Sequence, residues 1–376
     1  MKFICALVLV LCFATPAFPQ SIDWVKVHDL TIQGIDQLYN LEMEKSEQTF
    51  DQVITMAPGD PRGYFFKGMN YFWTYTLNKD EKAFNRFFDL SENVIDICER
   101  QLDKDGSNAT ATFYLGGIYG YRGLAYHRSG SMMKAAGDGR KGYFYLKDAA
   151  RLKPDLYDAQ MGFGLFSYLI GKLPKSSRWL LNVLGFEGNI EGGLAALKVA
   201  AQKGTYTHTE ATFYLSQFLN VENRPDEARE YLKQLIDKYP DNTLFLVTFA
   251  QWELRQDRVE EAIAAAQKAI SINNQKKVRI GDEFAHGVLA NCYFVKNDFT
   301  NAVAQAESYL QKVVDKDIIT NALFYRLGVS YEILGNREKA LTAYKRIKKV
   351  NSDNAWNYQF YRRGLERMQR PLSEID

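Results

Sequence analysis

The side chains best suited to chemistry in this 376-residue chain are scattered along it. His28, His127, His208 and His286 stand far apart, and none belongs to an HExxH motif or to a Cys/His cluster of metal-ligand spacing. Each reads as a surface or packing histidine. Gly185-Phe-Glu-Gly188 followed by Gly192 has the outline of a dinucleotide loop. No strand precedes it, and no clear βαβ unit exists to aim a helix N-terminus at phosphate. Ser129-Gly130-Ser131 lacks the strand–elbow–helix context of a hydrolase nucleophile. Asn108-Ala-Thr110 has the pattern of a glycosylation acceptor. The sequence therefore predicts no catalytic residues, no cofactor and no metal, and an enzyme is the least favoured class.

Composition narrows the alternatives further. With 47 basic against 45 acidic residues, the formal charge of +2 is too even for a nucleic-acid footprint. Residues 1–17 have the build of a secretory signal. Lys2 is the positive start, residues 3–13 form an apolar run too short to span a bilayer easily, and Thr15 and Ala17 precede a cleavage point that can also fall near Gln20. The expected location is periplasmic or extracellular, with an uncleaved N-terminal anchor as the alternative. Leu11 before Cys12 argues against a lipidated cysteine. Cleavage would leave only Cys98 and Cys292, each in a helical pattern and far apart, so both are expected as small core residues.

The frame available to position any site is a repeat. Leu215-Ser216, Leu219, Ala228, Leu232, Leu235 and Pro240 return 34 residues later as Phe249-Ala250, Glu253, Ala262, Ala266, Ala269 and Asn274. Further copies carry Leu289-Ala290, Tyr293, Ala302 and Ala306, then Phe324, Leu327-Gly328, Tyr331, Ala340, Tyr344 and Ile347. Ala262 to Ala302 is 40 residues and Ala302 to Ala340 is 38, so the excess is expected in the polar loops 273–277 and 315–317. A 34-residue period with small residues at fixed points resembles the tetratricopeptide repeat, strongly over residues 207–350. The small residues mark where the two helices of a pair approach, and Tyr331 and Tyr344 fill the gaps between pairs. The predicted fold is all-α, a right-handed solenoid of antiparallel helix pairs that is regular over 205–352.

Residues 22–204 continue the pattern in divergent form. Gly34, Phe50, Val53 and Pro58 match one repeat, and 62–78 with 81–104 read as a longer pair. A third pair starts near Ala109, with Gly116 and Gly120 on one helix face so that a neighbouring backbone can come very close. Residues 129–140 read as a polar loop or helix start before Leu146, Ala149 and Pro154 close that repeat. In the next, Gly162-Phe-Gly-Leu-Phe-Ser-Tyr-Leu-Ile-Gly-Lys-Leu-Pro174 and Trp179 to Gly188 suggest an extra apolar helix over about 175–184, inserted before Gly192-Gly-Leu-Ala-Ala-Leu197. This block resembles the family of tetratricopeptide repeat protein 39 and the yeast inclusion-body clearance protein. The resemblance implies an adaptor-like role in lipid storage or aggregate clearance, with no catalytic residues; those relatives are intracellular, whereas this chain carries an export signal. At the other end, residues 353–370 read as a capping helix that packs Trp356, Phe360, Leu365 and Met368 on the last repeat.

In such solenoids the first helix of each pair lines the concave face. That register places Phe213, Gln217 and Asn220 in the groove, then Val247, Gln251 and Leu254, then Asn291, Phe294, Tyr325 and Glu332. Amides that bond a backbone, interleaved with apolar side chains, suit an extended peptide. The expected function is a non-catalytic exported scaffold binding a protein or peptide. The rival is a lipid- or membrane-surface protein that uses Met161 through Leu184 for a hydrophobic ligand.

Overall fold

The computed structural model describes residues 21–371, except 79, 176–182, 184, 277–278, 314–320 and 350–354, with the side chains of residues 78 and 355–357 also outside the description. The secretory segment, most of the inserted helix including Trp179, and the 315–317 loop therefore lie outside the described residues, as does the Trp356 side chain.

Among the described residues the fold is all-helical, with seventeen helices. They are α1 (Trp24–Tyr39), α2 (Met43–Met56), α3 (Pro61–Asn78), α4 (Glu81–Lys104), α5 (Ala109–Arg128), α6 (Met132–Leu152), α7 (Ala159–Gly171), α8 (Ile190–Lys203), α9 (His208–Val221), α10 (Pro225–Lys238), α11 (Thr243–Arg255), α12 (Val259–Asn273), α13 (Asp282–Val295), α14 (Phe299–Lys312), α15 (Asn321–Ile333), α16 (Arg337–Lys345) and α17 (Ala355–Gln369). Successive helices pack as eight pairs, α1 with α2 through α15 with α16, and α17 lies on the last pair. The polar stretch 129–140 is mostly the start of α6 rather than a loop.

The turn inside each regular pair repeats in detail. Asn223, Asp257, Asn297 and Gly335 all have positive φ, of 57°, 57°, 61° and 78°. That left-handed region is open to glycine and tolerated by Asn and Asp, whose short side chains bond locally. The predicted small residues are where the pairs close: Ala228, Ala250, Ala262 and Ala340 are wholly buried. In the 273–281 connection the extra residues are tied down by Asn273, whose Nδ2 donates to the Ile280 carbonyl (3.0 Å) while its Oδ1 accepts from the Ile280 amide (3.1 Å).

Glycine sets the closest approaches in the divergent half. A Cβ on Gly142 would lie 2.7 Å from the Gly120 nitrogen, and one on Gly116 would lie 2.8 Å from the Leu146 nitrogen. The face predicted at Gly116 and Gly120 therefore meets the backbone of α6. In the next pair, Gly164 and Gly193 bring α7 and α8 together in the same way, each with backbone atoms within 2.8 Å of where a Cβ would stand.

The first turn of the solenoid closes on itself. Tyr239 Oη donates to Asp36 (2.6 Å), Asn242 Nδ2 donates to the Tyr39 carbonyl (2.7 Å), and His28 Nδ1 lies 2.8 Å from Tyr206 Oη. The Tyr39 ring stacks toward Tyr239 and Phe245. Helix α1, the first of the chain's described helices, is thus buttressed by residues 206–245. One apolar core runs through this ring from Ile35 to Trp252, while the regular repeats beyond it carry separate clusters. Cys98 and Cys292 are free and buried, and burial pushes their thiols up to about 12 and about 11.

At the C-terminal end, Phe360 of α17 is buried and packs on Tyr325 at 5.5 Å. Leu365, predicted to pack there too, is exposed; it sits one position past Gly364, the residue of that turn that is buried.

Candidate functional site

Two concave spaces result. The C-terminal one is an open groove of about 640 Å³ between α11, α13 and α15. It is lined by Gln251, Leu254 and Asn291, three of the residues expected there, with Phe284, Tyr309 and Arg326. Phe294 adjoins it, with the Arg326 guanidinium 5.7 Å from its ring centre.

Arg326 is the polar centre of this groove and was not singled out from sequence. It donates through Nη1 to Asn291 Oδ1 and lies over Phe294 and Phe360. Burial lowers its pKa, and no acid among the described residues raises it again. A desolvated guanidinium held by an amide and two rings keeps donors for a planar acceptor such as a carboxylate.

The other expected groove residues are placed elsewhere. Phe213 packs on Phe245 at 5.5 Å beside the N-terminal ring, and Gln217 is half-buried with its Nε2 unpaired among the described residues. Asn220 is half-buried on the same helix. Val247 is in the core between α11 and α12, because its row of the helix faces the partner helix rather than the groove. Tyr325 packs against Tyr344 and Phe360 beneath the cap. Glu332 is a brace: its carboxylate is paired with Arg337 and accepts from Tyr344 Oη (2.8 Å).

The N-terminal space is a chamber of about 240 Å³ inside the closed ring. Its wall is apolar, with Ile35, Leu38, Phe65, Phe66, Met161 and Leu165, and with the glycines of α5. In the described part of the Met161–Leu184 segment proposed to face lipid, helix α7 turns Met161, Leu165 and Tyr168 inward, whereas Leu169, Leu173 and Val183 are exposed. Phe186 packs on Tyr143 at 4.9 Å and on Phe144 at 5.3 Å.

Two carboxylates line this chamber, and Glu210 has a buried oxygen with no donor among the described residues. Asp158, the other, accepts from the Tyr206 and Thr207 amides (2.8 and 2.9 Å) and from the Thr207 hydroxyl (2.9 Å). Glu210 Oε2 accepts from Tyr121 Oη, and Oε1 has no donor within bonding distance among the described residues. Burial pushes Glu210 up to about 7, against the weaker downward pull of Tyr121 and Tyr39. A smaller pocket of about 40 Å³ adjoins on the far side of Glu210, lined by Phe213, Phe245 and Trp73, whose Nε1 is also unpaired. Among the described residues no group of three or more His, Cys, Asp or Glu side chains is placed to hold a metal.

The model of the Iml2/Tetratricopeptide repeat protein 39 family matches residues 158–352, more than half of the sequence. The chain belongs to that family. The match starts at Asp158, takes in the glycine-rich block of α7 and α8, and ends after the last regular pair. The tetratricopeptide architecture is shared with solved structures. One is the crystal structure of the APC/C hetero-tetramer Cut9-Hcn1, at 14% identity and a TM-score of 0.57, over 91% of this chain and 57% of that one. This chain thus spans little more than half of that neighbour's length. Yeast Tom70 is similar at 11% identity and a TM-score of 0.46, over 90% and 89% of the two chains. Pseudomonas aeruginosa pilF follows at 13% and 0.45, over 66% and 97%.

Proposed function

We propose that this protein is a non-catalytic tetratricopeptide scaffold that holds an extended acidic segment of a protein partner in the groove of α11, α13 and α15. The observation that carries this reading is Arg326, a largely buried guanidinium with no acid beside it among the described residues. Gln251 and Asn291 supply amides for a peptide backbone, and Leu254 and Phe294 supply contacts for its side chains. The family of scaffolds to which the chain belongs supports the same class of function. Export rests on the pattern of residues 1–17 and is proposed with it; processing of the first 17 to 20 residues in a fractionated host is the test of that part.

Fluorescence polarisation with labelled ten-residue peptides of alternating Glu and Leu tests the groove, against matched peptides carrying Gln for Glu. The acidic peptide is expected to bind at least about tenfold more tightly, and Arg326→Gln to remove the difference. Equal binding of the two peptides would count against the reading. Arg326→Lys, which keeps charge but loses the planar fork, is expected to fall between.

A further inference from the structure

We propose that the chamber inside the N-terminal ring is a binding site for an uncharged, mainly aliphatic molecule bearing one hydroxyl group, with its chain along the glycine face of α5 and its hydroxyl at Glu210. This site is separate from the groove and does not depend on it.

Three observations converge. The first is the space itself, about 240 Å³ with an almost wholly apolar wall, near the lower end of cavities that hold small molecules. Apolar walls left facing water favour an apolar occupant that removes them from it.

The second is the character of the α5 wall. Gly117, Gly120 and Gly123 line the chamber. A Cβ on Gly120 would meet only the edge of the Phe166 ring, at 3.6 and 3.8 Å, which is ordinary contact. Packing at that point does not forbid a side chain. What the missing side chain leaves is room.

The third is Glu210. It is 6% exposed, lines the chamber, and has one oxygen without a donor among the described residues. A buried polar atom left unpaired is costly and is relieved by a ligand group that completes its bonding. Because burial pushes the carboxyl up to about 7, both of its forms are populated near neutrality. A hydroxyl serves either form, donating to the carboxylate or accepting from the acid. A charged head group would have to be desolvated among apolar walls. The exposed lining residues His127 and Leu169 mark the end from which the chain would enter.

The test, run at about pH 8.5 where Glu210 is mainly the carboxylate and only a donor can pair with it, is displacement of the fluorophore N-phenyl-1-naphthylamine from the full chain by 1-decanol and by decyl methyl ether, which has the same chain but no hydroxyl proton. The alcohol is expected to displace the probe at concentrations at least tenfold below the ether. Gly120→Leu, which fills the chamber, is expected to abolish binding of probe and alcohol. Glu210→Leu is expected to bring the alcohol to the level of the ether while the probe still binds. Thermal melts establish that each variant is folded, and Ala135→Leu at the chamber rim is a second block should Gly120→Leu fail to fold. Failure of the wild-type chain to bind the probe or the alcohol overturns the proposal. So does equal displacement by alcohol and ether, since the hydroxyl would then have no role.

Discussion

The two halves of this molecule use one building unit to make two different kinds of space. In the N-terminal half the helix pairs curl until α1 meets residues 206–245, and the concave face becomes a partly open chamber with an almost wholly apolar wall. In the C-terminal half the pairs continue without such a contact, and the concave face remains a groove. Two buried glutamates differ between the halves as well. Burial pushes Glu253 up, but Arg258 and Arg229 more than offset it and leave its pKa lowered. Glu210 bonds only to the Tyr121 hydroxyl among the described residues, and burial wins. The two glutamates are both buried, and what separates them is the charge of their partners.

That contrast can be broken most severely at the glycine contacts of the ring. Gly142→Val would drive a branched side chain into the α5 backbone at Gly120. We expect a loss of about 3 kcal/mol or more from the N-terminal half, with the α13–α16 helices keeping their protection in hydrogen exchange. A uniform loss along the chain would contradict the division into two regions.

Glu210→Gln should act in the opposite direction. The folded-state pKa of about 7 lies above the value of 4.5 for an unperturbed glutamate. The folded protein therefore binds the extra proton between those values, and stability is full below about 4.5 and falls as pH rises through about 7. Removing the charge should stabilise the protein by up to about 3 kcal/mol at pH 8 and flatten that slope. Urea melts from pH 5 to 8 measure it; an unchanged slope in the variant would place the titration elsewhere.

Asn242→Ala removes both the cap of α11 and the bond to the Tyr39 carbonyl. A cost of about 2 kcal/mol is expected, with faster exchange in α1. Gln251→Ala, on the open groove, should change stability by less than about 0.5 kcal/mol. A larger loss would show that the groove is part of a packed core.

Much of the fold is legible in the sequence because the repeat has a local cause. Ala250, Ala262 and Ala340 are small where helices touch, and the touching helices are neighbours in the chain. The same holds for Gly116 and Gly120. The ring closure has no such signal, since Asp36 and Tyr239 or Tyr39 and Asn242 are 203 residues apart and obey no period. Glu210 is hidden by a second reason. Thr207 and Glu210 have the spacing of a capping box, in which the glutamate would fold back on its own helix end. Asp158 instead takes the Thr207 amide and hydroxyl, and Glu210 is left to face the interior. In the groove, Gln251, Leu254 and Asn291 of the projected register line the space. Stacking between pairs places Val247 in the core and Tyr325 under the cap, and Arg326 of α15 meets Asn291 of α13 only once the pairs are stacked.

The central claim is that α1 belongs to a closed ring rather than to a free solenoid end. Amide hydrogen exchange resolved along the chain tests this most directly. The account predicts that the amides of Val27 to Leu38 are protected as strongly as those of α9, and far more strongly than those of the terminal helix α17. Exchange of α1 at the rate of α17 would show that the first turn is open, and with it the chamber.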